Sequence, residues 1–312
     1  MANRSPRPSL RTRAQAWVSN TSHLVLVTGG LSVLVSVLAI GALAVNDFRA
    51  TLANDLAHAA MLARILEDQA TRTVETAELA LEALANAPAL ESAAADPRRM
   101  EEALGQALTG LSFLRGLAVV DAGGRIIAST QAGDAEIFVD VRRLGAKVAI
   151  GRSVLGGWTP GRSLQGIRLH GPAAQAPAGV AFVPILHGYK NQAGHELVLV
   201  ALLNPDSLSN FQHLTLESDS FSSVVASFDG QILATSGAAA GFMGTRVHQR
   251  LPVFTQYLPR QEHATYQGAG VLGEHQLVGF RVSGTKPLVE IVEEASRSVV
   301  QRWLAESRAL LG

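Results

Sequence analysis

The sequence predicts an α+β fold in which a long N-terminal, membrane-anchored helix precedes two modules with antiparallel sheets, and a C-terminal helix follows them. Three observations predict it. One uncharged apolar stretch is long enough to cross a membrane, a long amphipathic helix follows it, and a short strand–turn–strand phrase occurs twice, 106 residues apart. At 312 residues and 47% hydrophobic composition, the chain has room for two packed domains.

Composition argues against several classes of function. The 26 Lys and Arg residues balance 26 Asp and Glu residues, so the chain has no basic footprint for phosphates and we expect no nucleic-acid partner. The chain has no cysteine, which removes disulfides, Cys-ligated zinc and thiol catalysis.

The membrane segment is the clearest signal in the sequence. Leu24–Val45 contains no charged residue and has about the 20 apolar residues that cross a hydrocarbon core of roughly 30 Å. No acidic residue precedes Asp47, and positive charge on one flank keeps that flank inside. We therefore expect a cytoplasmic tail over 1–23, a transmembrane helix over 24–45 and export of the rest. The basic residues of the tail are Arg4, Arg7, Arg11 and Arg13.

Two alternatives to a retained anchor stay open at this point. Ala42-Leu43-Ala44 matches the small-x-small pattern of a signal-peptide cleavage site, and the stretch is also compatible with a buried core helix. The apolar run exceeds the usual signal-peptide core of about 7 to 15 residues, which favours a retained anchor. A cleaved signal peptide would export the remaining chain just as an anchor would.

A long stalk helix is predicted next, within a helical region over 46–115. From Asp47 to Asn86 the apolar residues recur at steps of three and four, which place them on one side of a helix. Asn86-Ala-Pro88 ends this helix, and a second helix is predicted over about Pro97–Leu108.

The first sheet module is predicted over 116–204. Leu117–Asp121 and Arg125–Thr130 are β-rich runs joined by a Gly-containing turn, which is typical of a hairpin. Two further β-rich runs flank a polar turn at Lys190–Gly194, and they cover Gly179–Leu186 and Glu196–Leu203.

The second module is predicted over 205–292 from an internal repeat. Gly124-Arg-Ile-Ile-Ala-Ser-Thr130 recurs as Gly230-Gln-Ile-Leu-Ala-Thr-Ser236, which indicates a duplicated unit of about 100 residues. Each copy follows an apolar run and an acidic turn residue, Asp121 or Asp229. Further strands are expected at Ala264–Gly270, Glu274–Val282 and Pro287–Val292.

The connections complete the prediction. Asn204-Pro205-Asp206 marks the junction between the modules, and Asp206 is expected to cap a short connecting helix. Helical spacing returns at Glu293–Leu311, which predicts a C-terminal helix over 293–312.

This order of elements resembles the double Cache sensor domain of bacterial transmembrane receptors, which is a tandem of two PAS-like modules. The matching phrases are Val119–Ala128, Leu199–Asp206, Phe228–Ala234 and Pro287–Val292. The resemblance implies an extracytoplasmic sensor with a membrane-distal and a membrane-proximal module. It also implies a diguanylate cyclase, histidine kinase or chemoreceptor output region that lies beyond a second membrane helix.

The sequence departs from the family in two respects. It stops at Gly312, where the second membrane helix would begin, so the chain is expected to be a fragment of a receptor or to have lost its output region. The Tyr, Arg and Trp-Tyr pattern of the amino-acid-binding members is not present at its usual spacing, so amino-acid recognition is not transferred. The expected location is the bacterial inner membrane, crossed once by this chain, with its bulk in the periplasm.

Catalytic and metal chemistry find no support in the spacing of residues. The histidines do not show zinc-binding spacing, no Gly-x-Ser-x-Gly elbow occurs, and the Gly-rich segments lack a phosphate-binding pattern. We predict no catalytic residue, no metal and no cofactor, and we do not expect this region to be an enzyme.

A ligand pocket is predicted around the long loop of the distal module, Arg152–His170, which holds no acidic residue. Arginine binds carboxylates bidentately and Trp offers an apolar or cation-π wall, so the hypothesis is a small anionic ligand such as a carboxylate. The alternative is that the arginines are solvated and Trp158 only packs the loop. The candidate residues are Arg152, Trp158, Arg162 and Arg168, with His187 and Tyr189 from the next strand.

Two functional hypotheses follow. In the first, a receptor sensing region binds a small molecule, shifts its last helix relative to the first, and forms a homodimer through the long helix. In the second, a stand-alone, membrane-anchored periplasmic protein binds another protein and has no output domain.

Overall fold

The computed structural model describes residues 10–92, 96–170, 179–216 and 220–311. The chain forms two compact units, Met1–Asn54 and Asp55–Gly312. Arg4 and Arg7 of the predicted tail, and the terminal Gly312, lie outside the described residues.

The N-terminal apolar helix is confirmed as helix α1, Leu10–Ala85. Within Val25–Ala85, an 18-residue stretch has a mean hydropathy of 2.3 and is 0% buried, which is the profile of a membrane span rather than of a core helix. The helix continues without a break through Asp47, where the stalk was predicted to begin.

The first predicted module, for which the name distal module is kept as a label, is built on an antiparallel sheet of six strands. Its strand order is β2-β1-β6-β5-β3, and β4 pairs with β5. The first strand of the module in sequence, β1, thus lies beside its last strand, β6. The elements are α2 (Pro88–Ser92), α3 (Pro97–Thr109), β1 (Leu114–Asp121), β2 (Ile126–Ser129), α4 (Val141–Leu144), β3 (Ser153–Leu155), β4 (Thr159–Pro160), β5 (Ala181–Lys190) and β6 (Glu196–Leu203).

The proximal module repeats this plan with five antiparallel strands in the order β8-β7-β11-β10-β9. The two sheets confirm the predicted α+β fold class. The elements are α5 (Pro205–Thr215), β7 (Phe221–Ser227), β8 (Ile232–Ser236), β9 (His263–Gly270), β10 (Gly273–Val282), β11 (Leu288–Ala295) and α6 (Ser296–Leu311).

Two predicted boundaries were wrong. Helix α5 is capped by Asn204, whose side chain accepts from the backbone N–H of Asp206, so Asp206 lies inside the first turn. The last helix begins at Ser296 and not at Glu293, because Glu293 and Glu294 pair with β7 and β10 as part of strand β11.

The repeated phrase forms the same hairpin in both sheets. Gly124 and Gly230 have φ of 85° and 74°, the left-handed conformation that glycine adopts without strain. Each glycine carbonyl accepts a hydrogen bond from a later segment, at 2.7 Å from Val139 N and 2.9 Å from Val247 N. A side chain at either glycine would collide with that segment. The repeated phrase therefore specifies the same turn geometry in both modules.

The buried core is divided by the sheets. One cluster packs the C-terminal end of α1, from Ala70 to Ala85, against strands of both sheets, and a smaller one surrounds Ala59–Leu66. The opposite face of the distal sheet carries its own apolar cluster, and so does the opposite face of the proximal sheet. Each sheet is therefore covered on both faces.

Candidate functional site

Two cavities in the Asp55–Gly312 unit have the size of small-molecule sites. The rim cavity, of about 280 Å³, lies at the edge of the distal module beside Val141–Ile150. The junction cavity, of about 650 Å³, lies between α1, the distal sheet and the β10–β11 turn. Ligand pockets in proteins usually occupy about 300–1,000 Å³, so the junction cavity lies within this range and the rim cavity at its lower limit.

The rim cavity is formed where the chain folds back over the end of the distal sheet. Ile150 forms a parallel bridge with Gly188 of β5, and the N–H of Gly151 donates to the carbonyl of Gly188 at 2.7 Å. A Cβ at Gly188 would lie 2.6 Å from the carbonyl oxygen of Ala149, so only glycine lets the two segments approach this closely. The close approach positions residues 145–150 as one wall of the cavity.

The lining of the rim cavity holds two cations and two carboxylates, and neither cation has an ion-pair partner among the described residues. Among the described residues, the side chains of Arg142 and Lys147 have no acidic group within salt-bridge distance. The carboxylate of Asp121 is engaged by the backbone N–H groups of Gly123 and Arg125, at 2.8 and 2.9 Å. The cavity therefore offers two cations that are free to hold an anionic group.

One carboxylate in the rim cavity is also free. Glu196, at the start of β6, lines the cavity and has no ion-pair partner in the described part of the chain. Val141, Val148 and Val198 provide apolar walls that pack against the cluster on this face of the sheet. A small carboxylate with an apolar body matches this lining.

The junction cavity is lined by charged groups from α1 and by His187 of β5. His187 is 4% exposed, and its Nδ1 lies 2.9 Å from Ser153 Oγ. Burial lowers the pKa of His187 below its ordinary value, against an opposing effect of Glu82 and Glu78. The imidazole is therefore neutral at pH 7.

The structure brings two of the six predicted ligand residues together. Arg152 and His187 both line the junction cavity. Tyr189 lies two residues further along the same face of β5, within the apolar cluster beneath α1, and burial raises its pKa. The face of β5 that carries His187 and Tyr189 therefore points to α1.

The other three predicted residues are dispersed. Trp158 packs on Gly244 of the proximal module, and its backbone N–H donates to Gln231 Oε1 at 3.1 Å. Arg162 is exposed, and Arg168 is half-buried with a buried Nε that has no partner among the described residues. The predicted loop Arg152–His170 is not a single loop, since it contains β3, β4 and a short 3₁₀ turn.

Arg142 and Lys147 were missed, although the sequence held a signal for them. Residues 141–195 contain seven Lys and Arg residues and no Asp or Glu. The acid-free stretch therefore begins eleven residues before the loop that was singled out, at the start of α4. Within the ranges that the structure describes, no group of three or more His, Asp or Glu side chains is placed to hold a metal ion.

No family model matches the sequence, and no curated protein matches it either. Solved structures do match its fold. The extracellular domain of the candidate histidine kinase rpHK1S-Z16 is 18% identical with a TM-score of 0.62, over 80% of this chain and 98% of that domain. A domain of a candidate sensory box/GGDEF family protein from Vibrio parahaemolyticus is 10% identical with a TM-score of 0.57, over 80% and 99%.

A third similar structure is the ligand-binding domain of the chemoreceptor CtaA of Pseudomonas fluorescens in complex with L-isoleucine. It is 18% identical with a TM-score of 0.54, over 82% of this chain and 98% of that one. The chain has the fold of these sensor and ligand-binding domains, as the resemblance to the double Cache family predicted.

Proposed function

We propose that the chain is the extracytoplasmic ligand-sensing region of a bacterial membrane signalling receptor. The observation that carries the proposal is the shared fold of two sheet modules behind an apolar N-terminal helix, over most of the length of the sensor domains it matches. Sensing requires a ligand that has different affinities for two arrangements of the chain. The junction cavity borders α1, the helix whose displacement would carry the signal.

The ligand that the rim cavity supports best is a small carboxylate held by Arg142 and Lys147. Both cations line the cavity and neither has an acidic partner in the described residues. The chemoreceptor CtaA binds L-isoleucine and L-alanine, which carry a carboxylate beside an ammonium group. Glu196, in the same cavity, would accept such an ammonium group.

Calorimetry on the full chain in lipid nanodiscs tests this site with a panel of small carboxylates and their neutral amides. We expect the carboxylates to bind more tightly than the amides. Arg142→Gln and Lys147→Gln should each weaken carboxylate binding by about 10- to 100-fold, the equivalent of losing one charge-assisted hydrogen bond.

The chain offers a matched control in Arg143→Gln. Arg143 is next to Arg142, is largely exposed and faces Asp140 at 3.9 Å instead of lining the cavity. Equal weakening by the Arg143 and Arg142 variants, or equal binding of carboxylates and amides, would contradict the proposed site. Arg162→Ala tests the site predicted from the sequence, because unchanged affinity removes Arg162 from ligand binding.

The location of the chain is also a proposal. The apolar N-terminal helix and the similar extracellular domains support a single-pass membrane protein. We place the N-terminus in the cytoplasm and the sheets in the periplasm, with the inner membrane crossed at Leu24–Val45. Alkaline phosphatase fused after Gly312 should be active in cells. An inactive fusion would indicate the opposite orientation.

Dimerisation through α1 is the last part of the proposal. Met61 and Ile65 lie four residues apart on the helix and are 52% and 43% exposed. Large apolar side chains at this spacing favour pairing with a second helix. Ile65→Glu should shift the chain from dimer to monomer in analytical ultracentrifugation, whereas the exposed Leu214→Glu should leave the mass unchanged.

A further inference from the structure

The junction cavity is distinct from the rim cavity in position and in charge. Three glutamates of α1 line one wall, at spacings of three and four residues that place them on one helix face. Arg152 and Lys286 line the other walls. The five charged side chains carry one more negative than positive charge. Those glutamates are Glu75, Glu78 and Glu82.

Two of the three glutamates are already engaged by the β10–β11 turn. Glu78 forms an ion pair with Lys286, and Glu75 accepts a hydrogen bond from Thr285 Oγ1 at 2.7 Å. Glu82 has no side-chain partner among the described residues, and neither does Arg152. The charged groups of the cavity that have no protein partner are therefore at the end that faces the distal module, where both are exposed to solvent.

His187 provides an independent indication of a ligand at that end. It is 4% exposed, so its ring is not solvated as a surface histidine would be. Its Nδ1 is engaged by Ser153 Oγ, and no described residue bonds to its Nε2. A neutral ring with Nδ1–H donated to Ser153 Oγ would leave Nε2 as a hydrogen-bond acceptor that lines the cavity.

We propose that the junction cavity is a second ligand site, which takes a small aliphatic amine that carries a hydrogen-bond acceptor at its other end. The ammonium group donates to the carboxylate of Glu82 and to Nε2 of His187. The methylene chain lies along Val154 and Leu155, and Arg152 donates to the acceptor at the far end. Such an occupant would touch α1 and the distal module at once.

The absence of cysteine makes occupancy directly measurable. Leu79 lines the cavity and is 65% exposed, so Leu79→Cys places a single reactive thiol at its mouth. Leu214→Cys, at a position 82% exposed on α5 and outside the cavity, is the matched control. We expect 4-aminobutan-1-ol to slow maleimide labelling of the thiol at position 79 at least threefold in the full chain, and to leave position 214 unchanged.

The chemistry of the site is tested with probes of one chain length. By calorimetry on the full chain, 4-aminobutan-1-ol should bind more tightly than 1-aminobutane, and butyrate should not bind at this cavity. Glu82→Gln should weaken amine binding by about tenfold or more, and Glu102→Gln, an exposed carboxylate on α3, should not. Protection of position 79 by butyrate as strong as by the amines, or an unchanged affinity in Glu82→Gln, overturns the proposal.

The result is separable from the test of the rim cavity. Lys147→Gln should leave amine binding unchanged, and Glu82→Gln should leave carboxylate binding unchanged. Loss of amine binding in Lys147→Gln would mean that the amine occupies the rim cavity, which also overturns the second site. If the chain binds carboxylates but amines slow maleimide labelling at neither position 79 nor position 214, the receptor proposal stands and the second site is excluded.

Discussion

The two sheets differ in the surface that they turn toward α1. The distal sheet presents apolar side chains there, among them Leu117, Ile185 and Leu199, all at most 1% exposed. The central strand of the proximal sheet, β11, presents Glu290 and Glu294 beside the apolar Leu288 and Val292, and the two glutamates are 1% and 0% exposed. Apolar packing is insensitive to pH, whereas a buried carboxylate changes its charge with pH.

The proximal carboxylates are held in three different ways. Among the described residues, Glu290 accepts only from the amide of Gln212, at 3.1 and 3.3 Å, and burial raises its pKa well above the ordinary value. Glu294 is paired with Arg302 of α6 at 2.8 Å. Glu293, on the opposite face, accepts the backbone N–H groups of Val271 and Leu272.

The comparison teaches that two copies of one plan have different physical roles. The distal sheet is fixed to α1 by apolar contact, and its buried acid, Asp134, ties a surface loop by accepting from Ser129 Oγ and Leu164 N. The proximal sheet also packs on α1 through apolar side chains, and it adds charged and polar contacts to α1, α5 and α6. The proximal module holds three buried carboxylates and the distal module one, so we expect pH to act more strongly on the proximal module.

The largest expected effect is in the distal core. Leu117→Ala should lower the free energy of unfolding by about 3 to 4 kcal/mol, because it leaves a cavity under α1 that the sheet cannot close. The loss should be the same at pH 5.5 and pH 8 in urea denaturation. Leu214→Ala, at an 82% exposed position, should cost less than about 0.5 kcal/mol. A loss of stability that changes with pH would contradict the expectation that the apolar distal core is insensitive to pH.

The second prediction concerns pH and Glu293. Burial raises the pKa of Glu293 from 4.5 to about 7, so the folded chain binds this proton more tightly than the unfolded chain. Its contribution to stability is fully present below pH 4.5 and is lost as pH rises through about 7, at no more than about 1.4 kcal/mol per pH unit. Glu293→Gln should remove this slope, measured as the difference between the two denaturation profiles. Parallel profiles would show that Glu293 does not titrate in this range.

A third test removes the charge that Glu294 depends on. Arg302 donates to Glu294 at 2.8 Å and to Asp55 of α1 at 2.6 Å. Arg302→Ala leaves Glu294 buried without a cation and should lower the free energy of unfolding by about 2 kcal/mol. This loss is smaller than for breaking a fully buried ion pair, because Arg302 is 35% exposed. Arg297→Ala, an exposed neighbour on α6, is the control. Equal stability of the two variants would mean that this ion pair does not hold α6.

The smallest expected effect lies between the modules. Asn204→Ala removes the side-chain acceptor at the start of α5 and should cost about 1 kcal/mol. Asp206→Ala should cost less, because Asp206 does not cap the helix and its exposed side chain pairs with Arg115. A larger loss of stability for Asp206→Ala than for Asn204→Ala would support Asp206 as the helix cap, as predicted from the sequence.

Local signals in the sequence were sufficient for most of the fold. The repeated turn was predictable because Gly124 and Gly230 need the same left-handed conformation in both copies. Glu293 was misplaced at the start of a helix because its spacing is helical, and only pairing with β7 and β10 keeps it in a strand. Local propensity gave way to tertiary contact there.

The ligand residues were harder to predict because they depend on contacts that are distant in sequence. Arg142 and Lys147 come together only because Gly188 lets the segment after α4 lie against β5. Trp158 was expected in a pocket of its own module, yet it packs on Gly244, 86 residues later. Composition indicated the charge of the region, and chain folding decided which members of it share a cavity.

The β10–β11 turn constrains how α1 can be displaced along its own axis. Thr285 and Lys286 engage Glu75 and Glu78, which are separated by about 4.5 Å of helical rise. A slide of this part of α1 past the proximal sheet has to release both contacts together, since the same short turn makes them. The turn therefore resists a gradual displacement of α1 and favours a shift in one step between defined positions.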